Sequence, residues 1–265
     1  MNRDDLARFK KWFADYVAGY YADDPARNHM IRLKQEHTIQ VCREINMLGQ
    51  ALQLAAQDMF LAETMALFHD IGRFEQYAAY GTFKDTISEN HAELGLHELA
   101  RHEVLSICPE AEQLLITKVI RYHNVRTLPE YEDQRSLFFA RLLRDADKLD
   151  IWRVFIDYYE RKDKEQNSII VLGLPNKEAC SPNVIDTLRH KKMGDTRDMA
   201  TLNDYKLVQI SWVFDLNFQP TFRAVHERRY VERIAAVLPQ AGEIQELVAI
   251  VQEYIDEQLA GSDHA

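Results

Sequence analysis

Apolar residues recur at intervals of three and four along most of this chain, the spacing that places them on one face of an α-helix. The opening segment shows this pattern at Leu6, Phe9, Phe13, Val17 and Tyr20. No stretch is rich enough in Pro, Gly or Ser to separate domains as a flexible linker. The sequence therefore predicts an all-α fold in one domain of residues 1–265, with a helical core at about 28–161 and a C-terminal helical extension at about 165–260.

The apolar spacing and the turn residues also predict where individual helices lie. Ser88 is the predicted N-cap of the helix at 89–106. Between the core and the extension, a loop or a short hairpin is predicted at 167–183, because Ile169, Ile170 and Val171 have strand character. The predicted helices are the opening one, which ends near residue 22, and those at 28–54, 58–77, 89–106, 109–123, 136–161, 182–192, 203–216, 221–237 and 241–259.

Composition limits the classes of partner. The chain has 265 residues and a net charge of −10, which disfavours binding to duplex nucleic acid because such binding depends on clustered Lys and Arg. No membrane contact is expected, because no run approaches the roughly 20 apolar residues of a membrane span and the first residues lack an apolar signal core. Three widely spaced cysteines fit a reducing compartment. We expect a cytoplasmic protein; the apolar segment 206–218 should pack in the core, with a homodimer contact as the alternative.

Two residue types that bind divalent metals, His and Asp, occur along successive predicted helices. His69 and Asp70 interrupt an apolar run, and a carboxylate buried beside an imidazole must be paired or must coordinate a metal. Neighbouring residues on a helix point about 100° apart, so other helices must supply further ligands. Imidazole and carboxylate without thiolate suit Zn, Fe, Mn and similar ions. The six candidate metal ligands are His37, His69, Asp70, His91, His123 and Asp147.

The order His37, His69-Asp70, Asp147 resembles the HD superfamily of metal-dependent phosphohydrolases, and the contexts HDIGR, HAELG and DADKLD are similar to that superfamily's local patterns. The resemblance covers about residues 28–161 and implies an HD-domain helical bundle with additional C-terminal helices. It also implies that these four residues hold one metal ion.

His91 and His123 match the additional histidines of the six-ligand, binuclear-type subgroup. That match implies a second ion, with Asp70 bridging the two. The ions expected are Mn, Fe, Co, Ni, Mg or Zn. Asp147 occupies the acidic position of the family pattern, while Asp145 remains open as a supporting residue or as the true ligand.

Two departures narrow the resemblance. Members that hydrolyse the stringent-response nucleotide, and mononuclear nucleotidases, usually carry an acid three residues after the HD pair, where this chain has Arg73. The Gly-Tyr-Pro signature of the cyclic-dinucleotide phosphodiesterases is absent. Neither of these activities is therefore favoured.

The implied chemistry is hydrolysis of a small phosphate ester or nucleotide by a metal-activated hydroxide. The catalytic candidates are Asp70, Arg73 and Lys148, because basic side chains beside the metals would bind phosphate oxygens. Lys84 is a further basic candidate. The expected partner is a small anionic phosphorylated substrate.

Two other classes of function remain open from the sequence. The same six ligands resemble those of the mixed-valent di-iron oxygenases of the myo-inositol oxygenase type, in which a basic residue three positions after the HD pair contacts substrate. A non-catalytic metal-binding or nucleotide-binding regulator is the third hypothesis, which the intact set of ligands disfavours.

Overall fold

The structure, a computed structural model, describes residues 1–160 and 173–261. In these two ranges the chain is helical and contains no strand, which confirms the predicted all-α fold. The three residues with strand character, at 169–171, lie outside the described residues. None of the helices in the two ranges combines the length and hydropathy needed to cross a bilayer.

The helices fall into two compact units, residues 1–150 and 151–265, each described by itself below. The prediction of one domain stays a prediction. The helices of residues 1–160 are α1 (Arg3–Ala18), α2 (Pro25–Ala51), α3 (Ala56–Phe68), α4 (Gly72–Tyr80), α5 (His91–Arg101), α6 (Glu110–Tyr122) and α7 (Gln134–Glu160). Those of residues 173–261 are α8 (Pro182–Arg189), α9 (Leu202–Ser211), α10 (Gln219–Glu227), α11 (Tyr230–Ala235) and α12 (Gly242–Ala260).

The first unit is built around α3, which packs against α1, α2 and α6. The second half of α3 is buried on nearly every side, from Thr64 to Phe68. On α1, the predicted apolar stripe faces inward, and the Phe9 ring meets the Phe68 ring edge-on with centroids 5.4 Å apart. The C-terminal end of α3 therefore lies deep in the unit, where a polar side chain needs a partner.

One predicted helix, at 58–77, is in fact two helices. The α-helical hydrogen bonding stops when α3 ends at Phe68 and resumes when α4 begins at Gly72. Between them His69 and Ile71 keep helical dihedral angles, but the Ile71 N–H donates to the Phe68 carbonyl, three residues back. At this break two backbones approach closely: a Cβ added at Gly72 would lie 2.2 Å from the His91 carbonyl oxygen and 2.4 Å from the Gly95 nitrogen. The prediction of a continuous helix was wrong, and neither the break nor this contact with α5 is visible in the apolar spacing.

The start of α5 corrects a second prediction. Asn90, not Ser88, is the N-cap, and its side-chain oxygen accepts hydrogen bonds from the backbone N–H groups of Ala92 and Glu93. His91 is the first helical residue, in the first turn as predicted. The helix ends at Arg101 rather than near 106, because Glu103 adopts a left-handed backbone conformation with φ of 50°.

The second unit has its own apolar interior. Every residue of α9 from Asn203 to Ser211 is buried. The first part of the apolar segment 206–218, which was predicted to pack in the core, lies in this helix. The aromatic rings of Phe155, Tyr159 and Tyr205 form a buried cluster within the unit. The predicted helix at 221–237 is divided into α10 and α11, because Arg229 adopts a left-handed conformation with φ of 55°.

Replacing Gly72 by alanine is expected to destabilise the first unit. The new methyl group would meet backbone atoms of α5, which cannot rotate away, so the two helices must separate. Overpacking of this kind costs about 1–3 kcal/mol. The free energy of unfolding from a urea titration measures the loss. The control is Gly242→Ala, where a Cβ meets nothing within 4 Å; equal stability of the two variants would contradict the close contact.

Candidate metal centre

The six predicted ligands come from five helices or their ends, all in the first unit. Five of them are buried, and the Asp147 side chain is 17% exposed. The breaks in the helices matter here, because His69 and His123 follow the last residues of α3 and α6. Their positions are His37 in α2, His69 and Asp70 between α3 and α4, His91 at the start of α5, His123 at the end of α6 and Asp147 in α7.

His37, His69 and Asp70 form one group that could hold a metal ion, with one ligand atom of each within 4.8 Å of the others. The Oδ2 atom of Asp70 lies 3.5 Å from His37 Nε2 and 3.8 Å from His69 Nε2. Asp147 extends the group, since its Oδ1 atom lies 3.1 Å and 3.7 Å from the same two nitrogens. The structure thus brings together the four residues of the first predicted metal site.

Asp70 also belongs to a second group, with His91 and His123. Its other oxygen, Oδ1, lies 3.3 Å from His91 Nε2 and 3.8 Å from His123 Nε2. One carboxylate therefore turns one oxygen toward each pair of histidines.

A hydrogen bond at Nδ1 fixes the orientation of each of the four rings. The partners are carboxylate or carbonyl oxygens, which only accept, so each Nδ1 must carry the proton. Nε2 is then the atom left for a metal ion, the usual arrangement for a ligating histidine. The four contacts from Nδ1 are His37 to Asp150 Oδ2 at 2.6 Å, His69 to the Ala66 carbonyl at 2.7 Å, His91 to Asp85 Oδ2 at 2.7 Å and His123 to the Ile120 carbonyl at 2.6 Å.

Two observations show that these donors fit a cation. His91 Nε2 and His123 Nε2 lie 2.9 Å apart, and with both protons on Nδ1 the two facing lone pairs repel unless a cation lies near them. Asp147 Oδ1 is buried without a hydrogen-bond partner, which is costly for a carboxylate. Nitrogen and carboxylate donors of this kind suit first-row divalent ions.

The surroundings of most of the six residues favour the protonation state in which a side chain can bind a metal ion. Burial lowers the pKa of His123 to about 3, and burial together with the nearby Arg73 charge lowers the pKa of His91. Burial alone would raise the pKa of Asp70, but the charges of Lys34, His69 and Arg73 lower it well below its usual range. These groups are therefore a carboxylate and neutral imidazoles at neutral pH.

His37 differs from the other histidines. Burial and Lys34 lower its pKa, but the carboxylates of Asp147 and Asp150, 3.1 Å and 2.6 Å from its two ring nitrogens, outweigh them and raise the pKa to about 9. The proton on Nε2 and a metal ion would occupy the same lone pair. Metal binding must then displace this proton, so affinity at the His37 side should fall as the pH falls.

Arg73 lies beside the second group and is engaged within the protein. Its Nη1 atom donates to Gln76 Oε1 at 2.8 Å, to the Phe83 carbonyl at 2.5 Å and to Asp85 Oδ1 at 2.9 Å. Its Nε atom is 3.5 Å from Asp70 Oδ1. The residue thus holds the loop after α4 against the group, and its predicted contact with phosphate stays a prediction.

The other two predicted residues in α7 are both buried. Lys148 is 9% exposed and follows Asp147, and its catalytic role stays a prediction. Asp145 is fully buried. Two residues along a helix correspond to a rotation of about 200°, so Asp145 and Asp147 point to opposite sides of α7. Asp147 is the one that approaches the His37 and His69 rings.

Three residues at the site were missed by sequence reasoning: Lys34, Asp85 and Asp150. Lys34 Nζ lies 2.7 Å from Asp70 Oδ2. Helical spacing is a signal for two of them, because Lys34 is three residues before His37 and Asp150 is three residues after Asp147. Asp85 has no such signal, since its position depends on how the loop after α4 folds back.

The Asp150→Asn substitution tests the hydrogen bond that orients His37. The neutral amide oxygen is a weaker acceptor than the carboxylate for the Nδ1–H of His37, which makes the imidazole a poorer ligand, so Mn²⁺ affinity should fall by about tenfold or more. Calorimetric titration measures it, with folding checked by circular dichroism. Asp157→Asn is the control, since this acid lies on the same helix with a side chain 46% exposed. Equal Mn²⁺ affinity in both variants would show that Asp150 does not support the ligand.

Comparison with protein families matches the part of the chain that carries these residues. Comparisons with curated proteins and with solved structures give no match. The family model of the HD domain matches residues 35–152, a range that contains all six predicted ligands. This chain therefore carries, at residues 35–152, an HD domain, the domain of a superfamily of metal-dependent phosphohydrolases.

Proposed function

We propose that this protein hydrolyses a small phosphate ester or nucleotide with two divalent metal ions. The observation that carries the proposal is the position of Asp70, whose Oδ2 faces His37 and His69 while its Oδ1 faces His91 and His123. A carboxylate shared in this way is typical of a bridging ligand. His37, His69, Asp70 and Asp147 would hold one ion, and Asp70, His91 and His123 would hold the other.

The charges around the site support the binding of cations. Four carboxylates line it, and they outnumber the basic side chains beside them even when Lys148 is counted with Lys34 and Arg73. Two bound divalent ions would leave a positive site, which attracts an anion. The carboxylates are Asp70, Asp85, Asp147 and Asp150.

Bound divalent ions would lower the pKa of a water molecule and offset charge on a phosphate group. The protein's own contribution is orientation. Hydrogen bonds at Nδ1 fix the four imidazoles, and Asp70 holds the two groups at a set separation. Arg73 and Lys148 are the proposed catalytic side chains beside Asp70 and Asp147, where positive charge would stabilise a phosphoryl transition state.

The remaining surface supports a small substrate. The chain has a net charge of −10, so outside the site it repels a polyanion such as duplex nucleic acid. A small phosphorylated compound carries enough charge to be attracted to the site and few enough charges to be tolerated by the rest of the surface.

A substrate panel tests the proposal. We expect turnover of small phosphomonoesters or nucleotides with Mn²⁺, Co²⁺, Ni²⁺ or Mg²⁺, loss of turnover on chelation and recovery when the metal is returned. Phosphate release is measured across phosphomonoesters, cyclic nucleotides and dinucleotides. Asp70→Ala protein from the same preparation is the control for contaminating phosphatases.

The panel is run with and without oxygen, because the di-iron oxygenases share these ligand types. Phosphate release that is independent of oxygen supports hydrolysis. Absence of phosphate release, together with oxygen consumption by the iron-loaded protein on a polyol or phosphonate, would assign the protein to the oxygenases instead.

Metal counting tests the shared carboxylate separately. Asp70→Ala should lose both ions, because it removes a ligand from each group and the negative charge between two cations. His123→Ala should lose chiefly one ion. Elemental analysis of the purified variants gives the stoichiometry, with His190→Ala as the control, since this histidine is exposed and lies in the second unit. Equal metal contents in the Asp70 and His123 variants would refute the bridge.

A further inference from the structure

Lys34 is the one basic side chain with a hydrogen bond to Asp70 in the described residues. Its Nζ atom lies 2.7 Å from Oδ2, the oxygen that faces His37 and His69. It lies one residue before the range matched by the HD-domain family model, which begins at 35.

Helix geometry explains how Lys34 reaches the site. Residues three apart on a helix share a face, so Lys34 and His37 project from the same side of α2. The ammonium also lies over the Phe83 ring, 5.5 Å from its centroid. The carbonyl of Phe83 accepts a hydrogen bond from Arg73, and this bond fixes the position of that part of the loop. Lys34 thus lies between the ligand group and the loop after α4.

Two features distinguish Lys34 from a residue that only neutralises a buried acid. Its side chain is 19% exposed whereas that of Asp70 is 5% exposed, so Lys34 lies nearer to the protein surface than the carboxylate that it contacts. The oxygen it contacts is also a proposed metal ligand, and a divalent ion there would repel the ammonium. A flexible four-carbon stem allows the ammonium to move away without a change in the helix.

We propose that Lys34 is the anion-binding side chain of the metal centre. A cation held by His37, His69 and Asp70 would neutralise the charge of Oδ2, and the released ammonium would be free to bind an oxygen of the substrate's phosphate group. This assignment rests on the proposed phosphohydrolase function. It also gives Lys34 a second effect, competition with the metal for Asp70.

Lys34 should strengthen the binding of phosphate and weaken the binding of the metal ion. The Lys34→Met variant should therefore change the two affinities in opposite directions. Methionine keeps most of the length and loses the charge. Binding of Mn²⁺ alone should be unchanged or tighter, because a competing cation is gone. Binding of inorganic phosphate to the Mn²⁺-loaded protein should weaken about tenfold or more, the usual effect of losing a hydrogen bond between charged groups.

Calorimetry measures Mn²⁺ affinity, and broadening of the phosphorus NMR line by Mn²⁺ measures phosphate affinity. Lys118→Met is the matched control, because Lys118 is 26% exposed, pairs with Glu132 in the same unit and lies in neither ligand group. It should leave both affinities unchanged. Lys34→Arg keeps the charge and should retain phosphate affinity within a few-fold, even if Lys34→Met folds poorly.

Three outcomes would overturn the proposal in distinguishable ways. Equal phosphate affinity in wild type and Lys34→Met, with phosphate-ester turnover in wild type, removes Lys34 from substrate binding and leaves the proposed function intact. A large fall in Mn²⁺ affinity in Lys34→Met shows that Lys34 only positions Asp70. Failure of the Mn²⁺-loaded wild type to bind phosphate counts against both the assignment and the proposed function.

Discussion

The geometry of the candidate metal centre depends on the contact between Gly72 and the backbone of α5. Without a side chain at Gly72, the start of α4 can lie against the His91 carbonyl and the Gly95 nitrogen. This approach brings the turn that carries His69 and Asp70 next to the first residue of α5, which is His91. The two groups of ligands can share a carboxylate because these two backbones touch.

Several buried acids lie close together at this site, and burial disfavours their charged forms. Hydrogen bonds and positive side chains in direct contact with them stabilise those charged forms. Burial raises the pKa of a carboxyl group, yet the hydrogen bond from His91, with help from the charge of Arg73, lowers the pKa of Asp85 to about 2. Lys34 and Arg73 act similarly on Asp70. The site therefore remains charged in the protein interior, which a cation-binding site requires.

The sequence predicted the helical fold and the six residues that meet at the site, because apolar periodicity and the order of His and Asp are local properties of the chain. It did not predict the break between α3 and α4, where the close contact of Gly72 involves Gly95, more than twenty residues away. The same limit explains why Asp85 was missed. Its contact with His91 depends on how the intervening loop folds back.

The acceptors of the Nδ1 hydrogen bonds differ within each pair of histidines. His69 and His123 donate to backbone carbonyls of Ala66 and Ile120, whereas His37 and His91 donate to the carboxylates of Asp150 and Asp85. A carbonyl persists whatever side chain evolution places at that position, but a carboxylate is lost by a single codon change.

At each proposed metal position, one imidazole thus donates to a backbone carbonyl, which a substitution cannot remove. The other imidazole donates to a carboxylate, and a substitution of that acid would change the basicity of the imidazole. The strength with which each ion is held can consequently evolve independently of the other, without altering any residue that touches it.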